Sequence, residues 1–170
     1  MLVTWRDFLV LDDEALFRQC EFDRFRASGP GGQKRNVTDS AVRLRHTPSG
    51  VQATAVESRS QHENRARALA RLRREIALVL RAPARLESYE SPEELASGWP
   101  VLGRRDARYL PAVAALFDVL DAVEWRVSDV ARLLGASTAS LGRFLARDPA
   151  VWRVANERRR AHGLPPLRER

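Results

Sequence analysis

Residues 28–36 limit the possible folds of this chain more than any other segment. They read Ser-Gly-Pro-Gly-Gly-Gln-Lys-Arg-Asn, so three glycines and one proline fall within five consecutive positions. Such a segment cannot continue a helix or a strand, because glycine is costly to order and proline lacks a backbone donor. It is therefore a loop, and the residues on both sides must form the structure that supports it.

Short alternating segments flank this loop, which indicates strands. Residues 20–27 and 40–46 alternate between apolar and charged side chains, the pattern of a half-buried strand. Turn-forming residues at 47–50 precede a third strand at 51–56, so the second and third strands are predicted to form a hairpin. A short helix over 12–19, with acids in its first turn, is expected before the first strand.

A long helix is predicted over about 60–81, where the hydrophobic period changes. Ser60 and Glu63 resemble a capping box, and Pro83 ends the pattern. The apolar residues that recur near helical spacing are Ala66, Leu69, Ala70, Leu72, Ile76, Val79 and Leu80. The opposite face carries arginines, so one side is expected in the core and the other in solvent.

The second half of the chain is predicted to be helical. The expected helices are 111–123, 128–134, 137–145 and 149–161. Ser128 is expected to cap the second of them, and Gly135 to form the turn that follows it. This order of helix, glycine and helix resembles a helix-turn-helix, although any small helical bundle can show it.

Charge and turn-forming residues divide the chain into two predicted units. Residues 1–85 form the first, 86–110 a linker, and 111–170 a bundle that resembles a helix-turn-helix. The first 85 residues hold 16 basic and 10 acidic side chains, a net charge of +6, whereas 86–170 hold 13 and 12, a net charge of +1. The predicted fold class is α+β: a small mixed sheet with a long basic helix and a protruding 28–36 loop, followed by an all-α helical C-terminal unit.

The basic residues are almost all arginine, 28 against the single Lys34. Arginine binds phosphate in a bidentate manner, so a pI near 11.0 favours a nucleic acid partner, although an arginine-rich genome would give the same composition. The single Cys20 excludes an internal disulfide and a cysteine-based zinc site. No apolar run has membrane length and no signal pattern opens the chain, so a cytoplasmic protein with no membrane partner is expected.

Several residues that often carry chemistry are predicted to have structural roles here. Cys20 is expected to behave as a buried apolar residue, and His62 to cap the long helix or contact RNA. Asp39 and Glu57 are expected to support the fold or to pair with nearby arginines. The four tryptophans expected in or near the core are Trp5, Trp99, Trp125 and Trp152.

Three blocks of sequence, in order and at matching spacing, carry a family resemblance. They are the 28–36 loop, Thr-Asp-Ser-Ala-Val-Arg at 38–43, and Ser-Arg-Ser-Gln-His-Glu-Asn-Arg at 58–65. Together they closely resemble the catalytic domain of class I peptide-chain release factors and of their codon-independent relatives. The resemblance covers roughly residues 10–82.

The resemblance implies that Gly31, Gly32 and Gln33 are catalytic. In the family this loop enters the peptidyl transferase centre of the large ribosomal subunit, where the peptide is an ester on the tRNA 3′ adenosine. By resemblance, the backbone N–H of Gln33 stabilises the developing oxyanion and leaving group, and its side chain positions the attacking water. Gly31 and Gly32 hold a backbone shape that a Cβ would prevent. No metal, cofactor or covalent nucleophile is implied.

The resemblance also implies a surface that contacts ribosomal RNA. The residues assigned to it are Arg26, Ser28, Lys34, Arg35, Asn36, Arg43, Arg45, Arg59, Arg65, Arg67, Arg71 and Arg74. The excess of one charge sign favours binding to an RNA backbone, although a charged helix face is often only solvated. The implied partners are large-subunit ribosomal RNA and peptidyl-tRNA, and the protein is expected to act as a monomer.

The position of the loop suggests how the protein would act. Only about 30 residues precede it, whereas members that recognise stop codons carry a large recognition domain there. We therefore expect codon-independent hydrolysis of peptidyl-tRNA on stalled ribosomes. Two departures from the family pattern bear on this expectation. Residues 34–37 read Lys-Arg-Asn-Val where the family often has His-Val-Asn-Lys, and the chain ends in a nearly neutral helical unit where short relatives often have a basic tail.

Two other functions fit parts of the sequence. A non-catalytic ribosome- or RNA-binding protein of the same fold is the first, but a binder would not need the intact Gly31-Gly32-Gln33. A DNA-binding regulator that uses the C-terminal helices is the second, and the low net charge of that half argues against it. A further alternative is a hydrolase that releases the peptide from free large subunits or from complexes with damaged tRNA.

Overall fold

The chain folds into two compact units, residues 1–80 and residues 81–170. The computed structural model describes residues 3–25, 40–82, 84, 92–96 and 98–168. The first unit combines a sheet with helices and the second is helical, so the predicted α+β class is confirmed. The assignment of a function to each unit stays a prediction.

The first unit contains a three-stranded sheet in the order β1-β2-β3. The strands are β1 (Cys20–Phe25), β2 (Ala41–His46) and β3 (Gln52–Ala55). Both pairings are antiparallel, so the described sheet is antiparallel throughout, whereas a mixed sheet was expected. The hairpin between β2 and β3 is confirmed, and Gly50 in its turn has a φ of 71°, the left-handed conformation that favours glycine.

One face of the sheet is buried only at β2 and β3. Val42 and Leu44 are fully buried, while Arg43 and Arg45 between and after them are exposed, as the alternation predicts. The first strand is mostly exposed, and Phe22 keeps 38% of its surface accessible. The half burial predicted for this strand is therefore wrong, because the long helix packs on β2 and β3 and β1 is an outer strand.

Three helices complete the first unit: α1 (Arg6–Leu9), α2 (Asp13–Arg18) and α3 (Gln61–Val79). Asp12 caps α2, since its Oδ1 accepts a hydrogen bond from the Ala15 backbone N–H at 2.7 Å. Ser60 caps α3 with its Oγ accepting from the Glu63 N–H at 3.3 Å, but its own N–H donates to Ser58 Oγ and not to the Glu63 side chain, so only half of the predicted capping box is formed. Both predicted helices of this region are confirmed.

The buried stripe of α3 differs in part from the predicted one. Its members are Asn64, Ala68, Leu69, Leu72, Ile76, Ala77 and Leu78. Ala66 and Ala70 are exposed, and Val79 keeps 52% of its surface accessible. Positions 64, 68, 72 and 76 follow a spacing of four, so Ala66 and Ala70, which lie midway between members of this row, point away from it.

The second unit is built from α4 (Tyr109–Ala122), α5 (Val127–Leu133), α6 (Thr138–Ala146) and α7 (Pro149–Ala161). Every residue of α4 from 112 to 120 is buried, so this helix is the centre of the unit. Asp118 within it is charged and buried, and Arg81 pairs with its carboxylate at 3.1 Å. The pairing compensates a charge that would be costly to leave alone in the core.

The boundaries of these helices follow local chemistry. Ser137 Oγ accepts from the Ser140 N–H at 3.0 Å to cap α6, and Asp148 caps α7. Gly135 has a φ of 58° in the turn between α5 and α6. The predicted cap at Ser128 is wrong, because α5 begins one residue earlier and Arg126 lies at its N-cap without a side-chain cap bond.

Part of the stretch predicted as a linker is packed into the second unit. It contains two short 3-10 helices, Glu93–Leu95 and Trp99–Val101. Leu95 and Trp99 are buried, and the Trp99 ring meets the Phe144 ring edge-on at 4.9 Å between centroids. Trp5 and Trp125 are also buried, as predicted, while Trp152 is half-buried.

No helix in the described parts of the chain is long and apolar enough to cross a lipid bilayer.

A buried histidine joins α1, α2 and β2. His46 has no accessible surface, its Nδ1 lies 2.6 Å from Ser49 Oγ, and its Nε2 lies 3.0 Å from Gln19 Oε1. The Phe8 ring meets the imidazole edge-on at 4.3 Å between centroids. Because Gln19 Oε1 accepts and the Ser49 hydroxyl donates, both ring nitrogens are satisfied in the neutral imidazole. Burial lowers the pKa of His46 accordingly.

This histidine predicts a pH dependence of stability. Below a pH of about 6.5, the ordinary histidine pKa, the unfolded chain binds a proton at position 46 that the folded chain binds only at lower pH. The free energy of unfolding should therefore fall as pH decreases from about 6.5, and level off below the folded-state pKa. His46→Gln should remove this slope in urea denaturation followed by circular dichroism. The same substitution at the exposed His62 is the control and should leave the slope intact; equal slopes in His46→Gln and the unaltered protein would contradict the assignment.

Candidate functional site

The ends of the predicted catalytic loop are fixed at one end of the sheet. Phe25, the last residue of β1, and Ala41, the first of β2, are partners across the antiparallel ladder. The chain therefore leaves the sheet and returns to it at adjacent points. Eight of the predicted site residues lie outside the described residues: Gly31, Gly32, Gln33, Arg26, Ser28, Lys34, Arg35 and Asn36.

Asn64 holds the returning end of this loop. Its side chain is fully buried, and its Nδ2 donates to the Ser40 carbonyl at 2.6 Å and to the Ser58 carbonyl at 2.8 Å. Its Oδ1 accepts from the Ser58 N–H at 3.0 Å. One amide thus joins the residue before β2, the segment before α3 and α3 itself. Ser40 is the first described residue after the loop, so this amide fixes the chain where it returns to the sheet.

The two predicted strand arginines lie on the exposed face of the sheet. Arg43 lies 3.6 Å from the Asp23 carboxylate, and Arg45 lies 3.3 Å from that of Glu21. Both pairs are between residues directly opposite each other on β1 and β2. The Arg43 guanidinium also lies over the Phe25 ring, 4.9 Å from its centroid. These arginines therefore stabilise the strands that support the loop.

The first turns of α3 carry two of the predicted helix arginines. Arg65 forms an ion pair with Glu14 of α2 at 2.9 Å, and its guanidinium lies 3.7 Å from the centroid of the Phe17 ring. Arg67 lies 3.5 Å from Glu63, one turn before it on the same helix. Arg65 therefore connects α3 to α2, whereas Arg67 interacts only within its own helix.

Arg71 joins α3 to the segment that follows β3. It forms an ion pair with Glu57, and its Nη1 donates to the Thr54 carbonyl at 2.5 Å. The hydrogen bond from Arg71 lowers the pKa of the Glu57 carboxyl below its ordinary value. Pairing of Glu57 with an arginine was predicted and is confirmed. Asp39, for which the same prediction was made, lies outside the described residues.

Arg59 differs from the other predicted arginines. It is exposed, and no ion pair joins it to another residue in the described ranges. Arg74 is only half-buried. At least five of the seven predicted arginines that the structure describes are paired with a carboxylate of the protein itself, so the positive surface is weaker than the count of arginines suggests.

Two structural residues of this region were not predicted. Arg73 binds Asp13 through its Nε and Nη2, at 3.0 and 2.8 Å, and also donates to the Leu11 carbonyl at 2.7 Å. Asn64 was named only as part of a sequence block. The signal that could have found Asn64 is its place in the buried stripe, four residues before Ala68, where a polar side chain must have partners.

The single cysteine has the role that was predicted for it. Cys20 is half-buried, and its Sγ lies 3.3 Å from the Leu16 carbonyl. Burial raises the pKa of this thiol to about 11, so the reactive thiolate is scarce at neutral pH. Cys20 is therefore unsuited to act as a nucleophile.

Comparison with known sequences identifies the family. The sequence profile of the RF-1 domain matches residues 15–99, which is half of the chain. This span contains β1, the loop, β2, β3 and α3 with its Asn64 and its arginines. The chain therefore belongs to the peptide-chain release factor family.

The individual relatives are similar over a shorter stretch. Peptide chain release factor 1 of Chlamydia felis is 54% identical over 61 residues, which is 34% of this chain and 17% of the relative. The same protein of Chlamydia trachomatis serovar D matches to the same extent. Peptide chain release factor 1 of Lawsonia intracellularis is 51% identical over 59 residues, 35% of this chain and 16% of the relative. The matched part of the chain thus spans about one sixth of these relatives.

The Asn64 amide predicts a specific loss of stability. Asn64→Asp keeps the oxygen that accepts from Ser58 but replaces the donor to the two half-buried carbonyls of Ser40 and Ser58 with a second oxygen. We expect the free energy of opening to fall by roughly 1–3 kcal/mol, since both carbonyls would lose their donor. Hydrogen exchange at the β2 and β3 amides measures this change.

The same substitution at another buried asparagine provides the control. Asn156 accepts from the Leu167 N–H through its Oδ1 at 2.7 Å, an interaction that aspartate retains. Asn156→Asp should therefore leave protection of β2 and β3 unchanged. Unaltered protection in Asn64→Asp would show that its hydrogen bonds do not hold the end of the loop.

Proposed function

We propose that this protein hydrolyses the ester bond of peptidyl-tRNA on the ribosome and releases the nascent peptide. The observation that carries the proposal is the sequence Gly31-Gly32-Gln33 within a matched release factor domain, on a loop whose ends are fixed by the β1–β2 ladder and by Asn64. A rigid base supports this chemistry, because a catalytic amide must be delivered to within a few tenths of an ångström of its target.

The proposed chemistry uses water as the nucleophile. Water attacks the ester carbonyl, the bond to the tRNA 3′ oxygen breaks, and the peptide leaves with a free carboxylate. The backbone N–H of Gln33 donates to the oxygen that gains negative charge, and its side-chain amide orients the water. Gly31 and Gly32 allow the backbone to approach the substrate closely. The ribosome and the tRNA supply the rest of the site, so the isolated protein should be nearly inactive.

Ribosome binding is proposed to use the arginines around the base of the loop. Exposed ion pairs such as Arg43–Asp23 and Arg67–Glu63 each stabilise the fold by only about 0–1 kcal/mol. These guanidinium groups can therefore exchange a carboxylate for an RNA phosphate at little cost in stability. Arg59, exposed and without an acidic partner among the described residues, needs no exchange.

The finer proposal is that release needs no stop codon and rescues stalled ribosomes in the cytoplasm. Its support is the resemblance of the loop and helix blocks to the codon-independent relatives of the release factors. The nearly neutral part of the chain after residue 85 differs from the basic tail of short relatives, so contact with a stalled ribosome would follow a different route here.

The first test concerns the loop. Stalled ribosomes that carry labelled peptidyl-tRNA should release peptide when this protein is added, and Gly32→Ala should lower the release rate by about a hundredfold or more, because a Cβ keeps the Gln33 backbone donor from its target. Gln33→Ala keeps this backbone N–H and loses only the amide that orients the water, so its release rate should fall by less. Both variants should still cosediment with ribosomes. His162→Ala, at an exposed residue of the second unit outside the proposed chemistry, is the matched control and should keep the rate. Full release by both loop variants would refute the mechanism, and cosedimentation without release by the unaltered protein would favour a non-catalytic binder.

The second test concerns the codon. Ribosomes are programmed with messages that end at the P site, or that place a sense codon or a stop codon in the A site. Codon-independent rescue predicts the fastest release on the truncated message and no preference for the stop codon over the sense codon. Release confined to the stop codon would contradict rescue and leave the hydrolase assignment intact.

The third test concerns the arginines. Combined Arg59→Ala and Arg67→Ala should weaken ribosome binding and reduce the slope of log K against log salt by roughly one to two, because two phosphate contacts would be lost. Arg132→Ala with Arg153→Ala removes the same charge from exposed positions on α5 and α7 and is the control. Equal effects of the two pairs would indicate that only net charge matters.

A further inference from the structure

The second unit contains a groove that its own side chains do not fill. The cavity has a volume of about 1070 Å³ and lies between α6, the start of α5 and the C-terminal segment 164–168. The floor is the exposed face of α6, with Ala139, Gly142 and Ala146. The C-terminal segment forms one wall with Leu164 and its neighbouring prolines and leucine.

This wall is held in place by α7. Asn156 Oδ1 accepts from the Leu167 N–H at 2.7 Å, and Arg159 Nε donates to the Pro165 carbonyl at 3.0 Å. Arg159 Nη1 also donates to the Trp125 carbonyl at 2.5 Å. The groove is thus formed by bonded elements of one unit, and its shape follows from the fold.

The floor of the groove consists of small residues, and no packing contact within the unit requires the glycine among them. Gly142 lies within α6, where glycine costs about 0.5–1 kcal/mol relative to alanine. A Cβ at this position would meet no atom within 4 Å, so no neighbour in the unit requires its absence. Ala139, Gly142 and Ala146 lie on one face of α6. The open space above these three residues, called the lane below, runs for about 10 Å along two helical turns.

The groove also carries positive charge without matching carboxylates. Five arginines line it, and Arg126 is paired with Glu124 and Asp129. The other four form no ion pair within the parts of the chain that the structure describes: Arg143, Arg147, Arg159 and Arg168. Arg159 is only 9% exposed, and both of its bonds are to neutral carbonyls. Arg147 donates to the Leu102 carbonyl, also neutral. An anionic ligand would compensate these charges, of which the buried one is the most costly to leave unpaired.

The lining argues for a peptide and against a nucleic acid. Single-stranded nucleic acids bind on aromatic side chains, and none of the described residues that line the groove is aromatic. A DNA duplex needs a helix that projects into the major groove, whereas the exposed face of α6 is the floor of a concavity. Small and aliphatic walls with arginines at the rim match a segment with aliphatic side chains on one face and carboxylates on the other.

We propose that the groove over α6 is a docking site for an acidic amphipathic peptide segment of a partner protein. The aliphatic side chains of the segment lie on the lane at Gly142, against the wall at 164–168. Its carboxylates pair with Arg143 and Arg168 at the rim, and a carboxylate near Arg159 compensates that buried charge. This site is independent of the proposed hydrolase activity.

The test uses the full chain and a labelled synthetic peptide. The probe is an amphipathic peptide of about fourteen residues, long enough to form a helix, with leucines on one face and glutamates on the other. A peptide with lysine in place of glutamate and one with serine in place of leucine are the controls. Fluorescence anisotropy should show saturable binding of the first peptide and binding at least about tenfold weaker for both controls. A DNA duplex and a single-stranded RNA are measured in parallel.

Substitutions at two positions of the groove, Gly142 and Arg143, locate the site. Gly142→Leu fills the lane and should weaken peptide binding about tenfold or more, while thermal stability stays the same or rises because leucine favours helix. Gly142→Ala should have a smaller effect. Arg143→Ala should also weaken binding, whereas Arg153→Ala, which removes the same charge from the exposed part of α7 outside the groove, should not.

Three results would overturn the proposal. One is unchanged peptide binding by Gly142→Leu, which would place the contact elsewhere. Another is an equal effect of Arg143→Ala and Arg153→Ala, which would reduce the attraction to net charge. The third is tighter binding of the duplex or the RNA than of the acidic peptide, with the same loss in Gly142→Leu, which would assign the groove to nucleic acid. Because no ribosome is present, none of these outcomes depends on peptide release.

Discussion

One buried side-chain amide fixes the geometry of the first unit. Asn64 joins three pieces of chain: the residue before β2, which is 24 positions away, the segment after β3 and the start of α3. The amide itself is fully buried and the bonds are partly buried, so a bond left unmade costs part of the desolvation of its groups. An apolar residue would fit the helical stripe but would leave two carbonyls unsatisfied. The position of the loop therefore depends on a residue that belongs to the core and not to the surface that meets a substrate.

Several arginines around the loop are paired with carboxylates, so their number alone does not describe the surface that they form. The first 85 residues have a net charge of +6, yet Arg43, Arg45 and Arg65 each have a carboxylate within 4 Å. Such pairs position the guanidinium groups at little cost in stability, and they leave a field weaker than the composition suggests. A surface of this kind favours partners dense in phosphate, which can displace carboxylates, over partners with isolated charges.

The sequence predicted elements whose signals are local. The cap at Ser60, the glycine turns at Gly50 and Gly135 and the alternation of β2 all depend on neighbours in the chain, and all are present in the structure. Predictions failed where tertiary contacts decide. β1 alternates like a buried strand but lies at the edge, and residues near Trp99 resemble a linker but contribute to a core.

The candidate site also has one part that local sequence predicts and another part that tertiary contacts decide. The catalytic loop was predicted from residue types and from a family pattern, which one sequence is enough to show. The role of Asn64 was not predicted: its place in the helical stripe indicates burial, but its hydrogen-bond partners cannot be known before Ser40 and Ser58 are brought together. The predicted role of the arginines was incomplete for the same reason, because their acidic partners are up to 51 positions away in the chain.

The outer position of β1 has a consequence for the behaviour of the protein at high concentration. An edge strand offers unpaired backbone groups to any extended segment that it meets, and it is a common start of aggregation. Along β1, Glu21, Asp23 and Arg24 are exposed, so a second copy would have to bring like charges into register to extend the sheet. The strand that supports the loop is thereby discouraged from forming intermolecular sheets.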